Sequence, residues 1–255
     1  MDVARHVGRV VIVTGAGYGI GRATALRFAL EGATVTGLDV SDEGLRLAAE
    51  EFAAAGATVT LVKADVTSQA DVDRVVAGAI AAHGRVDVLA NVAGIMDAFL
   101  AAHDVDDETW ARVMDVNVTG AMRLGRAVLP GMMERKADCI VNVASVGGFR
   151  GGAAGVAYTA SKHAIIGYTR NVAWTYQTEG IRCNAVCPGG VETNIGTTAV
   201  PRAQWDIARL AKIHAAAERQ AKPDEIAALI SWLASAEASN VNGAIVTADG
   251  GWSAG

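Results

Sequence analysis

Short, nearly continuous apolar runs recur along the chain, separated by longer segments in which apolar and polar positions alternate with helical spacing. Several of the short runs have too few polar positions for a strand with one face in water, so they predict parallel strands covered on both faces. The longer segments predict amphipathic helices. The predicted strands are VVIVT (10–14), TVTGLD (34–39), TVTLVK (58–63), VDVLAN (86–91), CIVNVAS (139–145), IRCNAVC (181–187) and AIVTAD (244–249).

Three of the helical segments carry residues that are typical of helix ends. Segment 21–32 closes on a glycine, and segment 67–84 opens with Thr-Ser and also closes on a glycine. Segment 222–235 has a proline at its expected first helical position. The alternation of strand and helix predicts an α/β fold: one doubly wound parallel β-sheet, a Rossmann fold of about seven strands with helices on both faces.

The organisation of the chain predicts a single domain over 1–255, since no linker, repeat or low-complexity tract interrupts it. The region 190–222 is too long for an ordinary connection, and long loops in compact domains are usually functional. We expect 194–216 within it to form a lid over the substrate. The length of 255 residues and the 51% hydrophobic content fit one large α/β domain with a sizeable core.

Charge and cysteine usage exclude several other classes. The net charge of −5 and the lack of a Lys/Arg run argue against a nucleic-acid partner. Neither a long apolar span nor a signal-peptide core is present, so we expect a soluble, cytoplasmic protein that does not enter a membrane. Cys139, Cys183 and Cys187 lack the spacing of a metal site or a disulfide framework and are interpreted as buried thiols, and we expect no metal.

A glycine-rich turn, TGAGYGIG (14–21), connects the first strand to the first helix. Such a turn leaves the backbone free to approach a diphosphate at a helix N-terminus, although a merely flexible turn would have similar composition. Asp39 ends the second strand, where a carboxylate can accept hydrogen bonds from the adenosine ribose. The same carboxylate would repel the phosphate of NADP, and Tyr18 offers no cation to offset it, so NAD is the expected cofactor.

The segment YTASK places Tyr158 and Lys162 four positions apart, on one face of a predicted helix. Taken alone, the pair could simply extend to solvent. Ser145, however, ends a predicted strand, where ligands bind in doubly wound sheets. Asn117 interrupts a predicted helix with a poor helix-forming residue.

Taken in order, these motifs resemble those of the short-chain dehydrogenase/reductase family, in its short single-domain branch. The resemblance covers nearly the whole chain. It rests on TGxxxGIG at 14–21, Asn-x-Ala-Gly at 91–94 with Val92 in place of the commoner second asparagine, Asp65-Val66, Asn117, Ser145, the YxxxK of Tyr158 and Lys162, and PGGVET at 188–193.

The resemblance implies a catalytic tetrad of Asn117, Ser145, Tyr158 and Lys162. Tyr158 would be the general acid or base on the substrate oxygen, and Lys162 would lower the pKa of Tyr158 and hold the nicotinamide ribose. Ser145 would donate to the substrate carbonyl, and Asn117 would hold a water linking Lys162 to solvent. The expected NAD-binding residues are Gly15, Tyr18, Gly19, Ile20, Asp39, Asp65, Val66, Asn91, Gly94, Tyr158, Lys162, Pro188, Gly189, Val191 and Thr193.

The substrate pocket is the least determined part of the site. Its expected residues are Met96, Ser145, Val146, Phe149, Tyr158 and Trp205, which suit an apolar secondary alcohol or ketone. Ordinary core packing is an equal alternative for the apolar ones.

The function hypothesis is an NAD-dependent oxidoreductase of small-molecule alcohols or ketones. The alternatives are a 3-oxoacyl thioester reductase, a non-catalytic NAD(H)-binding sensor or scaffold, and a nucleotide-sugar epimerase or dehydratase.

A homotetramer is expected as the assembly. The helix that carries Tyr158 is apolar nearly all round, including Ile165, Ile166, Tyr168, Val172 and Trp174, so one side would face the sheet and the other a second subunit. The fourfold closure is an implication of the family resemblance.

Overall fold

The sheet of this protein is parallel throughout, with the strand order β3-β2-β1-β4-β5-β6-β7. The structure is a computed structural model, and it describes residues 4–195 and 204–254. All seven predicted strands form, and each lies within two residues of its predicted ends. They are β1 (Val10–Thr14), β2 (Thr34–Asp39), β3 (Val59–Lys63), β4 (Val88–Asn91), β5 (Cys139–Val143), β6 (Arg182–Pro188) and β7 (Ile245–Ala248).

Helices follow the strands and cover both faces of the sheet, so the predicted Rossmann fold is confirmed. Within the described residues they are α1 (Gly19–Leu30), α2 (Asp42–Ala54), α3 (Gln69–His83), α4 (Asp107–Met114), α5 (Gly120–Arg135), α6 (Val156–Thr175), α7 (Gln204–His214) and α8 (Pro223–Ala234). The end signals work as predicted in α3: Ser68 accepts the N–H of Asp71 at 3.3 Å, and Gly84 ends the helix with φ 76°.

The expected lid over 194–216 lies only partly within the described residues, because 196–203 are outside them. Its described part contains α7. That finding corrects the view of 190–222 as one irregular loop.

Alternate side chains of the central strands pack into two separate apolar layers, one on each face of the sheet. Val11 and Val13 of β1 point to the face covered by α1 and α8, where they join Phe28 and Ile230. Ile12 points to the opposite face, which α3, α5 and α6 cover. Because both faces of β1, β4 and β5 are buried, these strands read as continuous apolar runs. The edge strands β3 and β7 keep exposed positions.

The outer side of α6 differs from the expectation. Ile165, Ile166 and Val172, which were assigned in part to a subunit interface, are buried within the chain itself. Tyr168 is partly buried against the same core, and Trp174 is 74% exposed. The apolar character of α6 therefore follows mostly from packing within one chain.

A membrane-spanning helix is not found in the described ranges, since none of their helices is both long and apolar enough to cross a bilayer.

Candidate active site

A cavity of about 810 Å³ opens where the strand order reverses, between the carboxyl ends of β1 and β4. Ligands of doubly wound sheets bind at this place. The volume is in the range of small-molecule and cofactor sites. The cavity is lined by the following residues that the sequence had singled out: Gly15, Tyr18, Gly19, Ile20, Asp39, Asp65, Val66, Gly94, Met96, Ser145, Tyr158, Lys162, Pro188, Gly189, Val191 and Thr193.

The glycine turn forms one wall of the cavity, and its close packing excludes side chains. A Cβ atom at Gly19 would lie 2.7 Å from Cγ2 of Thr193, and Gly19 has φ 47°. A Cβ atom at Gly21 would lie 2.0 Å from the carbonyl oxygen of Gly15. Thr14 ties the turn to the neighbouring strand, because its Oγ1 accepts the N–H groups of the two residues that follow β4 at 2.8 and 2.9 Å.

The carboxylate of Asp39 is fixed at the edge of the turn by main-chain donors. Oδ2 accepts the N–H of Gly17 at 3.0 Å, and Oδ1 accepts the N–H of Ser41 at 2.9 Å. A Cβ atom at Gly17 would lie 2.8 Å from the carboxyl carbon, so Gly17 leaves the space that the carboxylate occupies. Asp39 therefore presents a held negative charge to the cavity.

The cations nearest to this edge are occupied by other partners. Arg22 donates through Nε to the carbonyl oxygen of Gly17 at 2.9 Å, pairs with Glu51 at 3.2 Å, and lies over the ring of Tyr18. Lys63 pairs in register with Asp39 in the sheet, but its ammonium bonds Asp42. Beside the glycine turn, the described residues thus present the Asp39 carboxylate, while Arg22 and Lys63 pair with other groups.

The opposite wall brings a phenol, an ammonium and a hydroxyl together. Tyr158 and Lys162 lie on the cavity side of α6, and Ser145 follows β5. Lys162 donates through Nζ to the carbonyl oxygen of Val143 at 2.9 Å, and Nζ is 5.4 Å from the centre of the Tyr158 ring. The side chains of Tyr158 and Lys162 are both buried. A buried ammonium is rare in proteins unless it has a partner.

The ionisation of this pair differs from the expectation. Burial raises the pKa of Tyr158 to about 12, although the hydrogen bond with Ser145 lowers it. Burial also lowers the pKa of Lys162 to about 8. The expectation that Lys162 depresses the tyrosine pKa is therefore not met in this structure. The physical reason is that burial destabilises the charged form of each group. At the separation seen here, the attraction between a phenolate and an ammonium does not offset that cost.

Asn117 lies in a π-helical turn, Asp115–Thr119, between α4 and α5. Such turns occur often at functional sites. Its Oδ1 accepts the N–H of Ile95 at 2.8 Å, and its Nδ2 donates to Ile95 O and to Ser161 Oγ, both at 3.0 Å. Both amide hydrogens are thus committed to protein partners, and the side chain ties the loop after β4 to α6. The expected role of holding a water would fall to other atoms.

Besides Asn117, four predicted site residues lie outside the lining of the main cavity. Asn91 donates to Asn142 on the neighbouring strand at 2.9 Å and is not among the residues that line the main cavity. Val146 is buried in the turn after Ser145, and Phe149 is 38% exposed beyond that turn. Trp205 lines a second cavity of about 250 Å³ with Phe99, Leu210 and Arg209, and it is 62% exposed.

Several cavity residues were not foreseen from the sequence. Val40, Ser41, Thr67, Arg112 and Ile195 line the main cavity, and local sequence carried no signal for them beyond their proximity to the motifs. Asp97 was also missed. Its signal was a lone carboxylate within the otherwise apolar stretch GIMDAFL (94–100).

The donor chemistry of the site fits a dinucleotide and offers no metal centre. The glycine turn supplies a cradle that any Cβ atom would fill, and the cavity continues from Asp39 to Tyr158. Among residues 4–195 and 204–254, no cluster of three His, Cys, Asp or Glu side chains could hold a metal ion. The three cysteines are free and buried.

Comparison with known proteins agrees with this arrangement. The family model described as enoyl-(acyl carrier protein) reductase matches residues 15–253. The 3beta-hydroxysteroid dehydrogenase 2 of Eggerthella lenta is 40% identical over 259 residues, covering 100% of each chain. Levodione reductase superposes with a TM-score of 0.89 at 36% identity, covering 98% of this chain and 99% of its own. A Beutenbergia cavernae protein, described as a putative NAD(P)-dependent gluconate 5-dehydrogenase with bound NADP at low occupancy, gives 0.87 at 37% identity, covering 99% and 100%.

The chain belongs to the short-chain dehydrogenase/reductase family. It is therefore an oxidoreductase that acts on CH–OH groups of a small-molecule substrate with a nicotinamide cofactor. The relatives leave the choice between NAD and NADP open, because one of the similar structures carries NADP.

Proposed function

We propose that this protein transfers a hydride between NAD and a secondary alcohol or ketone, with Tyr158 as the general acid or base. The observation that carries the proposal is the convergence of Tyr158, Lys162 and Ser145 on one wall of the cavity whose other wall is the glycine turn. Gly94 also lines this cavity, and a Cβ atom there would lie 3.3 Å from both Lys162 Nζ and Asn117 Oδ1.

The cofactor would supply the hydride acceptor or donor at its nicotinamide ring. Asp39 would bind the adenosine ribose, and the N-terminus of α1 behind Gly19 would face the diphosphate. Lys162 would bind the nicotinamide ribose, and Thr193 would bind the carboxamide end. Since Asp39 is already aligned by two N–H donors, it is prepared to accept hydrogen bonds from ribose hydroxyls without reorganisation.

The proton would move at the phenol oxygen of Tyr158. In the oxidation direction Tyr158 takes the proton of the alcohol, and in reduction it returns one to the carbonyl oxygen. Its pKa of about 12 means that the phenol is protonated at neutral pH in the free protein, which is the form that donates to a carbonyl oxygen. Ser145 would donate to the same substrate oxygen and stabilise the negative charge that develops there.

The substrate class we propose is an apolar ring alcohol or ketone. Met96 lines the same cavity as Ser145, Tyr158 and Lys162, and a second cavity carries the aromatic side chains of Trp205 and Phe99. The relative named as a hydroxysteroid dehydrogenase supports the same class. A screen of cyclic and acyclic ketones, steroid-sized ones and a 3-oxoacyl thioester, each with NADH and NADPH, tests this choice.

The substitution Tyr158→Phe tests the mechanism. We expect it to lower kcat by about a hundredfold or more, because proton transfer by a positioned side chain contributes about that much. NADH binding, measured by fluorescence titration, should change little. Tyr176→Phe is the matched control, since Tyr176 ends α6 away from the cavity and should retain full activity.

Two outcomes would contradict the proposed function. Retention of more than about a tenth of wild-type kcat in Tyr158→Phe would remove Tyr158 from the proton transfer. Tight NADH binding by the wild-type protein without turnover of any compound in the screen would instead favour a sensor or scaffold.

We also propose a homotetramer as the assembly of this enzyme. Its support within the chain is reduced chiefly to Trp174, whose indole is exposed on a helix whose Ile165, Ile166 and Val172 are buried.

A further inference from the structure

A buried acid that the proposed reaction does not use lies directly behind Tyr158. Asp97 belongs to the loop after β4, and it is 1% exposed. Its Oδ2 accepts the backbone N–H of Tyr158 at 3.0 Å, and its Oδ1 accepts that of Phe99 at 3.2 Å. The backbone N–H of Ala157 is a further donor to the carboxylate.

The helix that carries Tyr158 has no side-chain cap of its own. α6 begins at Val156, and its N-cap residue is Gly155. Ala157 and Tyr158 are the second and third helical residues, whose N–H groups an N-cap side chain ordinarily accepts. Asp97, which lies 61 positions earlier in the chain than Tyr158, accepts them instead. A carboxylate at this end of a helix is also favoured by the helix dipole.

Gly155 and Asp97 fit together sterically. A Cβ atom at Gly155 would lie 2.4 Å from Oδ1 and 2.6 Å from the carboxyl carbon of Asp97, which is closer than non-bonded atoms approach. The glycine therefore leaves the space into which the carboxylate reaches. With Asp97 removed, that space would be available for a serine at 155, whose backbone (φ −69°, ψ 172°) already suits an N-cap residue.

The Asp97 carboxylate is held by main-chain donors. The hydrogen bonds that bear most on its ionisation come from backbone N–H groups, those of Asp97 itself, Phe99, Ala157 and Tyr158. Burial raises the pKa of Asp97, and these hydrogen bonds lower it.

Tyr158 is faced by ionisable groups on three elements and by the hydroxyl of Ser145 on a fourth. Asp97 approaches from the loop after β4 and Cys187 from β6, and both raise the pKa of Tyr158. Lys162 lies one turn along α6, and Ser145 approaches from the end of β5. Of these groups, Asp97 is the one that contacts the main chain of Tyr158 itself.

We propose that Asp97 is a positioning residue of this active site, which fixes the first turn of α6 and places a negative charge behind the phenol of Tyr158. The proposal rests on the proposed function, because it takes Tyr158 as the group that exchanges the substrate's proton. The cap decides where the phenol points. The charge decides how readily the phenol ionises, and so the pH at which the enzyme oxidises alcohols.

Asp97→Asn separates the charge from the shape. Alcohol oxidation needs Tyr158 as a base, and a negative neighbour opposes its deprotonation. Removing the charge should therefore shift the rising limb of kcat against pH to lower pH, by about 0.5 to 1.5 units. Titration of isotope-labelled tyrosine by NMR, with Tyr158→Phe to assign the signal, reads the same shift without turnover. A purely structural role would leave both midpoints unchanged.

Asp97→Ala and the double variant Asp97→Ala/Gly155→Ser separate the cap from the charge. Asp97→Ala should lower kcat by about tenfold to a hundredfold, because a displaced first turn misplaces the phenol. The double variant gives α6 a serine cap of its own. It should recover most of the lost kcat and of the thermal stability, while its pH midpoint stays as low as that of Asp97→Asn. If Asp97→Ala does not fold, the kcat and the pH midpoint of the double variant and of Asp97→Asn still test the proposal.

The outcomes distinguish this inference from the proposed function. A wild-type protein that turns over no ketone would refute the proposed function, and the NMR titration would still decide whether Asp97 acts on Tyr158. An active wild type whose Asp97 variants keep its kcat and its pH midpoint would overturn the inference and leave the proposed function intact. Recovery of kcat together with the wild-type midpoint in the double variant would show that Asp97 is only a cap, and would overturn the electrostatic part.

Discussion

At the scale of single residues, the neighbours of a side chain decide what its chemistry can do. Aspartate is usually exposed to solvent, yet both carboxylate oxygens of Asp39 accept main-chain N–H groups and its charge faces the cavity. Leu38 and Val40 flank it with opposite environments: Leu38 is 1% exposed, whereas Val40 is 62% exposed. A cation meant to bind a ribose phosphate therefore belongs at Val40, because an arginine at Leu38 would enter the core.

The cofactor preference is predicted from Asp39. A phosphate of about −1.5 to −2 charges beside this carboxylate should cost about 1.5 to 3 kcal/mol, so NAD should be favoured over NADP about ten- to a hundredfold in kcat/KM. The double variant Asp39→Ser/Val40→Arg should move the preference toward NADP. Steady-state kinetics with both cofactors on one ketone measures the shift.

Val40→Arg alone is the control for this prediction. With Asp39 in place, the new guanidinium can pair with the carboxylate, so the shift toward NADP should be clearly smaller than in the double variant. A wild-type enzyme that uses NADP better than NAD would refute the assignment of Asp39 and leave that of Tyr158 untouched.

At the scale of secondary-structure elements, close approach of backbone to backbone sets the geometry of the glycine turn. Gly21 lies in the first turn of α1, where a Cβ atom would lie 2.0 Å from the carbonyl oxygen of Gly15 and 2.9 Å from that of Thr14. Neither oxygen can move without opening the junction of β1 and α1. Main-chain packing thus fixes the shape of the turn, whether or not a ligand is bound.

Gly21→Ala and Gly78→Ala form a matched pair on two helices. Gly21→Ala should lower the free energy of unfolding by about 3 kcal/mol or more, or prevent folding, because the clash is with main-chain atoms. Gly78 is exposed on α3, and a Cβ atom there would meet nothing within 4 Å, so Gly78→Ala should stabilise by about 0.5 to 1 kcal/mol. Urea unfolding measures both. Equal stability of the two variants would contradict the prediction.

At the scale of the whole molecule, the N-terminal segment is joined to the helices on one face by a buried polar network. His6 is fully buried, its Nε2 lies 3.0 Å from Ser231 Oγ of α8, and Ser231 donates to Glu31, which follows α1. Since the one hydroxyl hydrogen of Ser231 points to Glu31, His6 must donate from Nε2, and its Nδ1 has no partner within the described residues. A protonated His6 would also carry a buried N–H at Nδ1 with no acceptor among the described residues, so burial requires the neutral form, although Glu31 favours the charged one.

The pH dependence of stability follows from this requirement. Burial lowers the pKa of His6, so the unfolded chain takes up a proton more readily than the native one as the pH falls through about 6.5. Stability from neutral His6 is complete above that pH and is lost below it. The Tm of the wild type should fall more steeply between about pH 8 and pH 5 than that of His6→Gln, which keeps a donor but does not titrate. Parallel curves for the two proteins would contradict this reading of His6.

The sequence determined the fold class and the position of its elements. Hydrophobic periodicity and end signals are local properties, so the seven strands are found within two residues of their predicted bounds and α3 carries its predicted Ser68 cap. The motifs also lie at strand ends and helix starts, which parallel topology necessarily brings to one edge of the sheet. For that reason the sequence alone predicts that the glycine turn, Ser145, Tyr158 and Lys162 face one cavity.

The tertiary structure alone decided which of those residues face the cavity and how they ionise. Asn91 belongs to the motif at 91–94 and Phe149 follows Ser145 by four positions, yet neither lines the main cavity, because Asn91 pairs with Asn142 and Phe149 lies beyond a short turn. The sign of the Tyr158 pKa shift depends on burial by several distant elements, and no local spacing encodes burial. The cap that Asp97 provides crosses 61 positions of the chain. Contacts of this length exist only once the sheet has brought its loops together, so a single sequence holds no direct trace of them.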